Sequence, residues 1–196
     1  MGDTVDHRDA IIGAACSSLM SAGVGRITVG VVAKAARVST ALVHYHFATK
    51  QKLLAAAAEA LAQRRGENRV RALQAGQGLS SLDALWGVLA DERATAERAA
   101  PDLILLARED RDVRATLRRE RQREQSRVAA VLPELFGNLG TQPRVLEEEL
   151  AATVCTFLDG VTTSLLSGVP AHDVRASYDA FWLALVALGQ APPVGR

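Results

Sequence analysis

The chain has 196 residues, of which 48% are hydrophobic and 23% charged, and its formal net charge is +1. That is long enough to bury a sizeable core, and the balance excludes a disordered or fibrous chain. No run approaches the roughly 20 apolar residues of a membrane-spanning helix, and the polar, acidic start MGDTVDHRDA lacks the pattern of an export signal, so the expectation is a cytoplasmic protein with no membrane partner.

In chain order, Ile11, Ile12, Ala15, Cys16, Leu19 and Met20 come first, and their spacing places all six on one helical stripe. Gly23 is positioned to end that helix. Thr28 is placed to cap a short second helix to about Ala36, with Val32, Ala33 and Ala36 inward. Ser39 caps a third helix through Tyr45, and Thr49 a fourth that begins KQKLLAAAAEAL. Gly66 and the AGQG stretch near Gly76 are both candidates to interrupt the fourth.

All six prolines lie beyond residue 100, several where a helix should start or stop. Pro101 follows an alanine-rich helix from about Ser80, and Pro133 closes an Arg/Glu-rich helix from about Val113. Pro143 sits in a turn before another start, and Pro170 separates the last two helices. The penultimate helix carries Leu146, Leu150, Val154, Phe157, Leu158, Val161 and Leu165; the last carries Tyr178, Phe181, Trp182 and Leu185. The run VGVV is too short for a persuasive strand. The chain therefore reads as all-α, with about nine helices. We expect an N-terminal three-helix bundle over residues 1–52, a larger helical domain over 53–190 and a frayed tail over 191–196.

The small net charge conceals an asymmetry. From Ala10 to Ala58 there are five basic residues (Arg26, Lys34, Arg37, Lys50, Lys52) and no Asp or Glu, whereas residues 59–196 carry 17 basic and 19 acidic residues. A basic, acid-free segment is a candidate for contact with phosphates. Within it, TVGVVAKAARVSTALVHYHF (Thr28 to Phe47) has the layout of a helix-turn-helix: small Ala33 permits a close helix crossing, and Val38 and Val43 fix the crossing angle. In such a unit the second helix lies in the major groove while the first crosses the backbone.

From the apolar first helix through Lys50 to Leu54, these features resemble the N-terminal signature of the tetracycline-repressor (TetR) family. The matching elements are the glycine ending helix one, Ile27-Thr28, the Ala33/Ala36 pair, the Val38-Ser39 turn and the cluster His44-Tyr45-His46-Phe47. The segment LDGVTTSLLSGVP near residues 158–170 resembles the penultimate helix of choline-responsive members. Three positions depart from the family pattern: Arg37 stands where a turn glycine is usual, Thr40 where a basic residue is usual, and His44 where an aromatic is usual.

The resemblance implies a dimeric repressor of a pseudo-palindromic operator, released by a small-molecule effector. The nucleic-acid contacts expected are Arg26, Thr28, Arg37, Ser39, Thr40, Ala41, His44, Tyr45, His46, Thr49 and Lys50. On the recognition helix, hydroxyl, methyl and ring edges can read base edges, while exposed helix N-termini suit phosphates. Phe47 and Val43 are expected in the core.

For the effector, polar residues among apolar ones mark candidate lining: Trp86, Arg108, Gln122, Thr156, Asp159 and Thr163. The last two helices carry more large apolar residues than one chain needs, so Phe157, Val161, Leu165, Tyr178, Phe181, Trp182 and Leu185 are the expected dimer interface.

Against an enzyme stand several absences. His44 and His46 point to different sides of a helix, no histidine has carboxylates at metal-ligand spacing, and no GxSxG or phosphate-binding glycine loop occurs. Cys16 and Cys155 read as reduced core residues, so neither a metal nor a cofactor is expected. A helical adaptor would account for the helices but not for the basic segment. In LRRERQREQSR, Glu120 to Arg123 and Glu124 to Arg127 are spaced as weak surface ion pairs.

Overall fold

A computed structural model describes residues 3–96 and 99–189; the tail expected over 191–196 lies outside them. Among the described residues there are nine α-helices and no strand. They are α1 (Asp3–Ala22), α2 (Val29–Ala36), α3 (Thr40–His46), α4 (Lys50–Gln74), α5 (Leu79–Ala96), α6 (Ala99–Glu109), α7 (Arg111–Asn138), α8 (Glu147–Leu166) and α9 (Ala171–Leu188). A 3-10 turn over Val24–Arg26 joins α1 to α2. No described helix is long and apolar enough to cross a membrane.

Backbone contacts divide the chain into two compact units, residues 1–64 with 95–121 and residues 65–94 with 122–196. The first unit thus holds α1 to α3, the first part of α4, α6 and the start of α7. Its core gathers Ile11 and Leu19 of α1, Ile27, Val32 of α2, Val43 of α3 and Leu53 of α4, all fully buried, with Ala99 and Leu103 of α6 and Val113 of α7. Each large side chain so buried contributes about 1.5–3 kcal/mol. Cys16 is also buried here, and burial pushes its thiol pKa up.

The second unit packs Leu85, Leu89, Phe136, Val154, Leu158, Tyr178 and Trp182 together. Beside this apolar core stands a buried ionic cluster centred on Arg69, which is fully enclosed. Its Nε and Nη2 donate to the two carboxylate oxygens of Glu92 at 3.0 and 2.7 Å, and Nη1 donates to Glu124 at 3.2 Å and Asp159 at 2.8 Å. Thr162 accepts from Nη2 at 3.1 Å. Burial opposes the guanidinium charge, but the carboxylates, Glu92 foremost, outweigh it and hold the Arg69 pKa above its ordinary value. Four helices, α4, α5, α7 and α8, are tied at this one side chain.

Three sequence expectations are corrected in these helices. Gly66 does not interrupt α4; it makes room, because a Cβ there would stand 3.3 Å from Cγ of Glu124. Pro133 does not close α7, which runs on to Asn138. A proline inside a helix costs about 3 kcal/mol, and burial of Leu132, Leu135 and Phe136 beside it outweighs that. Nor do Glu120 and Glu124 lie on a solvated helix face. Both are buried, Glu124 bonds Arg69, and Arg127 pairs with Glu67 at 3.7 Å.

Candidate nucleic-acid interface

The expected reading surface begins with its caps. Thr28 Oγ1 accepts from the Val31 N–H at 3.2 Å, Ser39 Oγ from Leu42 at 3.1 Å, and Thr49 Oγ1 from Lys52 at 3.2 Å. All three hydroxyls thus satisfy a backbone donor at a helix start, and the three residues are themselves exposed.

Between α2 and α3, Arg37 takes the left-handed conformation, φ 58° and ψ 38°, and its N–H donates to the carbonyls at the end of α2. The Val38 N–H closes the motif on the Ala33 carbonyl at 3.0 Å. Substituting arginine for the usual glycine has therefore not relaxed the turn. The conformation costs roughly 1–2 kcal/mol and leaves the Arg37 side chain exposed beside the recognition helix.

On α3, Val43 is fully buried and Phe47, just past its end, is 5% exposed. These two anchor one face and turn Thr40, Ala41, His44 and Tyr45 outward, all exposed, with Tyr45 at 76%. Their spacing of i, i+1, i+4 and i+5 makes one continuous face. His46 departs from this pattern. It is half-buried, its ring lies edge-on to Tyr45, and its Nε2 is enclosed without a hydrogen-bond partner.

Arg26 and Thr49 are exposed and Lys50 is half-exposed. Two exposed cations absent from the expected contacts, Lys34 on α2 and Lys52 on α4, lie in the same acid-free segment. The charge asymmetry already contained them.

The residues expected to line an effector cavity are not gathered. Arg108, Gln122, Thr156 and Thr163 stand exposed, and the hydroxyls of Thr156 and Thr163 donate to their own helix at 2.7 and 2.8 Å. Polar residues at helical spacing mark an outer face as readily as a cavity wall, and here they mark the outer face. Asp159 belongs to the Arg69 cluster. Trp86 packs on Tyr178 with ring centroids 5.4 Å apart, under the Arg175 guanidinium. The interior polar group that sequence reasoning missed is Arg69 with Glu92, Glu124 and Thr162. On α7 the inward stripe Val113, Thr116, Glu120, Glu124 and Val128 was its readable signal.

The residues expected at a dimer interface divide into two groups. Val161, Leu165, Tyr178 and Trp182 are buried in their own chain's core at 4% exposure or less, because a helical bundle this size consumes them internally. Phe157 and Phe181 stack on each other, centroids 3.7 Å apart, and remain half-buried with Leu185. The outer face of α9 is instead Ala176, Ala180, Leu183, Ala184 and Ala187, and that of α8 is Thr153, Thr156, Gly160 and Thr163, all exposed.

An outward recognition face held by a tight turn, on a basic and acid-free segment, defines a DNA-binding transcriptional regulator of the helix-turn-helix class. Residues 11–57 match the model of bacterial regulatory proteins of the tetR family. No curated protein sequence matches the chain. Among solved structures, one from Rhodococcus sp. described as a TetR-family transcriptional regulator superposes with a TM-score of 0.75 at 20% identity, covering 93% of this chain and 99% of that one. A TetR transcription regulator from Haloarcula marismortui gives 0.69 at 20% identity, with 95% and 100% covered. A transcriptional regulator from Saccharomonospora viridis in complex with choline gives 0.66 at 16% identity, with 90% and 95% covered. Residues 11–57 are thus similar to the DNA-binding region of TetR-family proteins, and the chain has the fold of TetR-family regulators.

Proposed function

We propose that the protein binds a pseudo-palindromic operator as a homodimer, represses transcription from it, and is released by a small-molecule effector. It is read as a cytoplasmic, non-enzymatic regulator that needs no cofactor. The observation that carries this reading is the exposed α3 face of Thr40, Ala41, His44 and Tyr45 within the acid-free segment. One recognition helix reads only a few base pairs, so two linked copies are needed for useful affinity. The first 52 residues would supply the reading surface and residues 53–190 the effector and dimer contacts.

Support for an effector comes from the fold and from one structural relative solved with choline. For dimerisation it comes from the outer face of α8 and α9, where small residues surround Leu183 at 70% exposure.

The test is binding to a duplex selected from a random pool by the purified protein. Lys50→Ala should weaken binding to every duplex and reduce the salt slope by about one unit, whereas Tyr45→Ala should cost roughly 1–3 kcal/mol on the selected duplex alone. Unaltered affinity in both variants would refute the assigned docking. A helical adaptor, the competing class, would select no duplex at all.

A further inference from the structure

The 3-10 turn joining α1 to the helix-turn-helix has no cap of its own. Gly23 precedes it at φ 75° and ψ 168° and makes no side-chain cap bond, so the first N–H of the turn, that of Val24, needs a partner from elsewhere. The partner is Asp102, 78 residues on, whose Oδ2 accepts from Val24 N–H at 2.6 Å. Such a charge-assisted bond is short and about twice as strong as a neutral one.

Asp102 lies in the first turn of α6, where the helix dipole also favours a carboxylate. Its neighbour Leu103 is buried in the first unit's core, which fixes the carboxylate in place. The same oxygen would stand 2.7 Å from a Cβ on Gly23. Glycine is therefore required there twice, by its positive φ and by the close approach of Asp102.

Downstream, the turn leads directly into buried Ile27 and the Thr28 cap that starts α2. We propose that Asp102 is a positioning residue for the nucleic-acid interface: by capping this turn from α6, it sets the path on which α2 begins and hence the aim of α3. The proposal rests on the DNA-binding reading and assigns Asp102 no contact with DNA.

Two measurements on the full chain test it. The first is amide exchange of Val24 in the free protein, which involves no DNA. In Asp102→Ala it should quicken roughly tenfold or more, and in Asp102→Asn, which keeps an acceptor, it should return toward wild type. The second is affinity for the selected duplex and for poly(dI-dC). Asp102→Ala should lose about tenfold on the selected duplex and nothing on poly(dI-dC), with most of the loss restored by Asn.

Gly23→Ala attacks the same contact from the other side. Combined with Asp102→Ala it should cost less than the product of the two single losses, because both remove one bond. Should Asp102→Ala fail to fold, the Asn and Gly23 variants carry the test. Unchanged Val24 exchange, or an equal loss on both DNAs, overturns the positioning role alone. A wild-type protein that selects no duplex overturns the reading of function and this proposal with it.

Discussion

Arg37 shows how a single side chain can trade stability for charge. Its left-handed backbone costs roughly 1–2 kcal/mol that a glycine would avoid, part of which glycine returns through its freer unfolded state. Arg37→Gly is therefore expected to raise unfolding free energy by up to about 1 kcal/mol in urea titration, while lowering the salt slope of DNA binding by about one. A loss of stability would show that the arginine side chain already offsets its own strain. The caps at Thr28, Ser39 and Thr49 were legible in the sequence, since a hydroxyl before an apolar periodic run has one local use. His46 was not, because its half-burial is decided by packing beside Phe47, which no local pattern encodes. Tyr178 brings a pH dependence. Burial, chiefly, raises its pKa above the ordinary value of 10.0, and its hydroxyl donates to the Leu82 carbonyl at 2.8 Å. The unfolded chain therefore loses this proton first as pH rises, so the contribution is complete below pH 10 and declines above it. Thermal midpoints measured between about pH 9 and 11 should fall, and Tyr178→Phe should flatten that fall while costing about 1 kcal/mol at neutral pH.

At the scale of elements, the end of α1, the bounds of α2 and α3 and the start of α4 follow from apolar spacing and capping, and the structure keeps them nearly residue for residue. Where reading failed, tertiary burial overrode a local rule. Pro133 is tolerated because three large side chains beside it are buried, and the α7 glutamates turn inward because Arg69, far away in sequence, is there to meet them. The same arginine makes the helices of the second unit interdependent. Arg69→Met should lower stability by about 3–5 kcal/mol, since it strands carboxylates that are buried only because they are paired. Circular dichroism during urea unfolding measures this, and a loss below about 1 kcal/mol would mean the carboxylates simply protonate or find water.

For the whole molecule, the all-α architecture and the helix-turn-helix were readable, whereas which large apolar residues of α8 and α9 the chain's own core encloses was not. Large apolar residues drew attention to Val161 and Trp182, yet these are core. The outer stripe of α9 is built from alanines, which carry little hydrophobic signal one at a time. Leu183→Glu should accordingly give a folded monomer that no longer binds the selected duplex, because Leu183 is 70% exposed in the single chain. Val161→Glu, by contrast, should unfold the chain. Light scattering with circular dichroism separates these outcomes, and a Leu183→Glu protein that stays dimeric would place the contact elsewhere.

Both cysteines of the chain are buried, and for Cys16 burial further suppresses the reactive thiolate. The molecule thus arrives with its surface already clear for thiol chemistry. One cysteine introduced at exposed Thr40 would be the sole accessible attachment point for a spin label. A homodimer would then carry two labels, and the distance between them would gauge the separation of its recognition helices directly, with and without a bound small molecule.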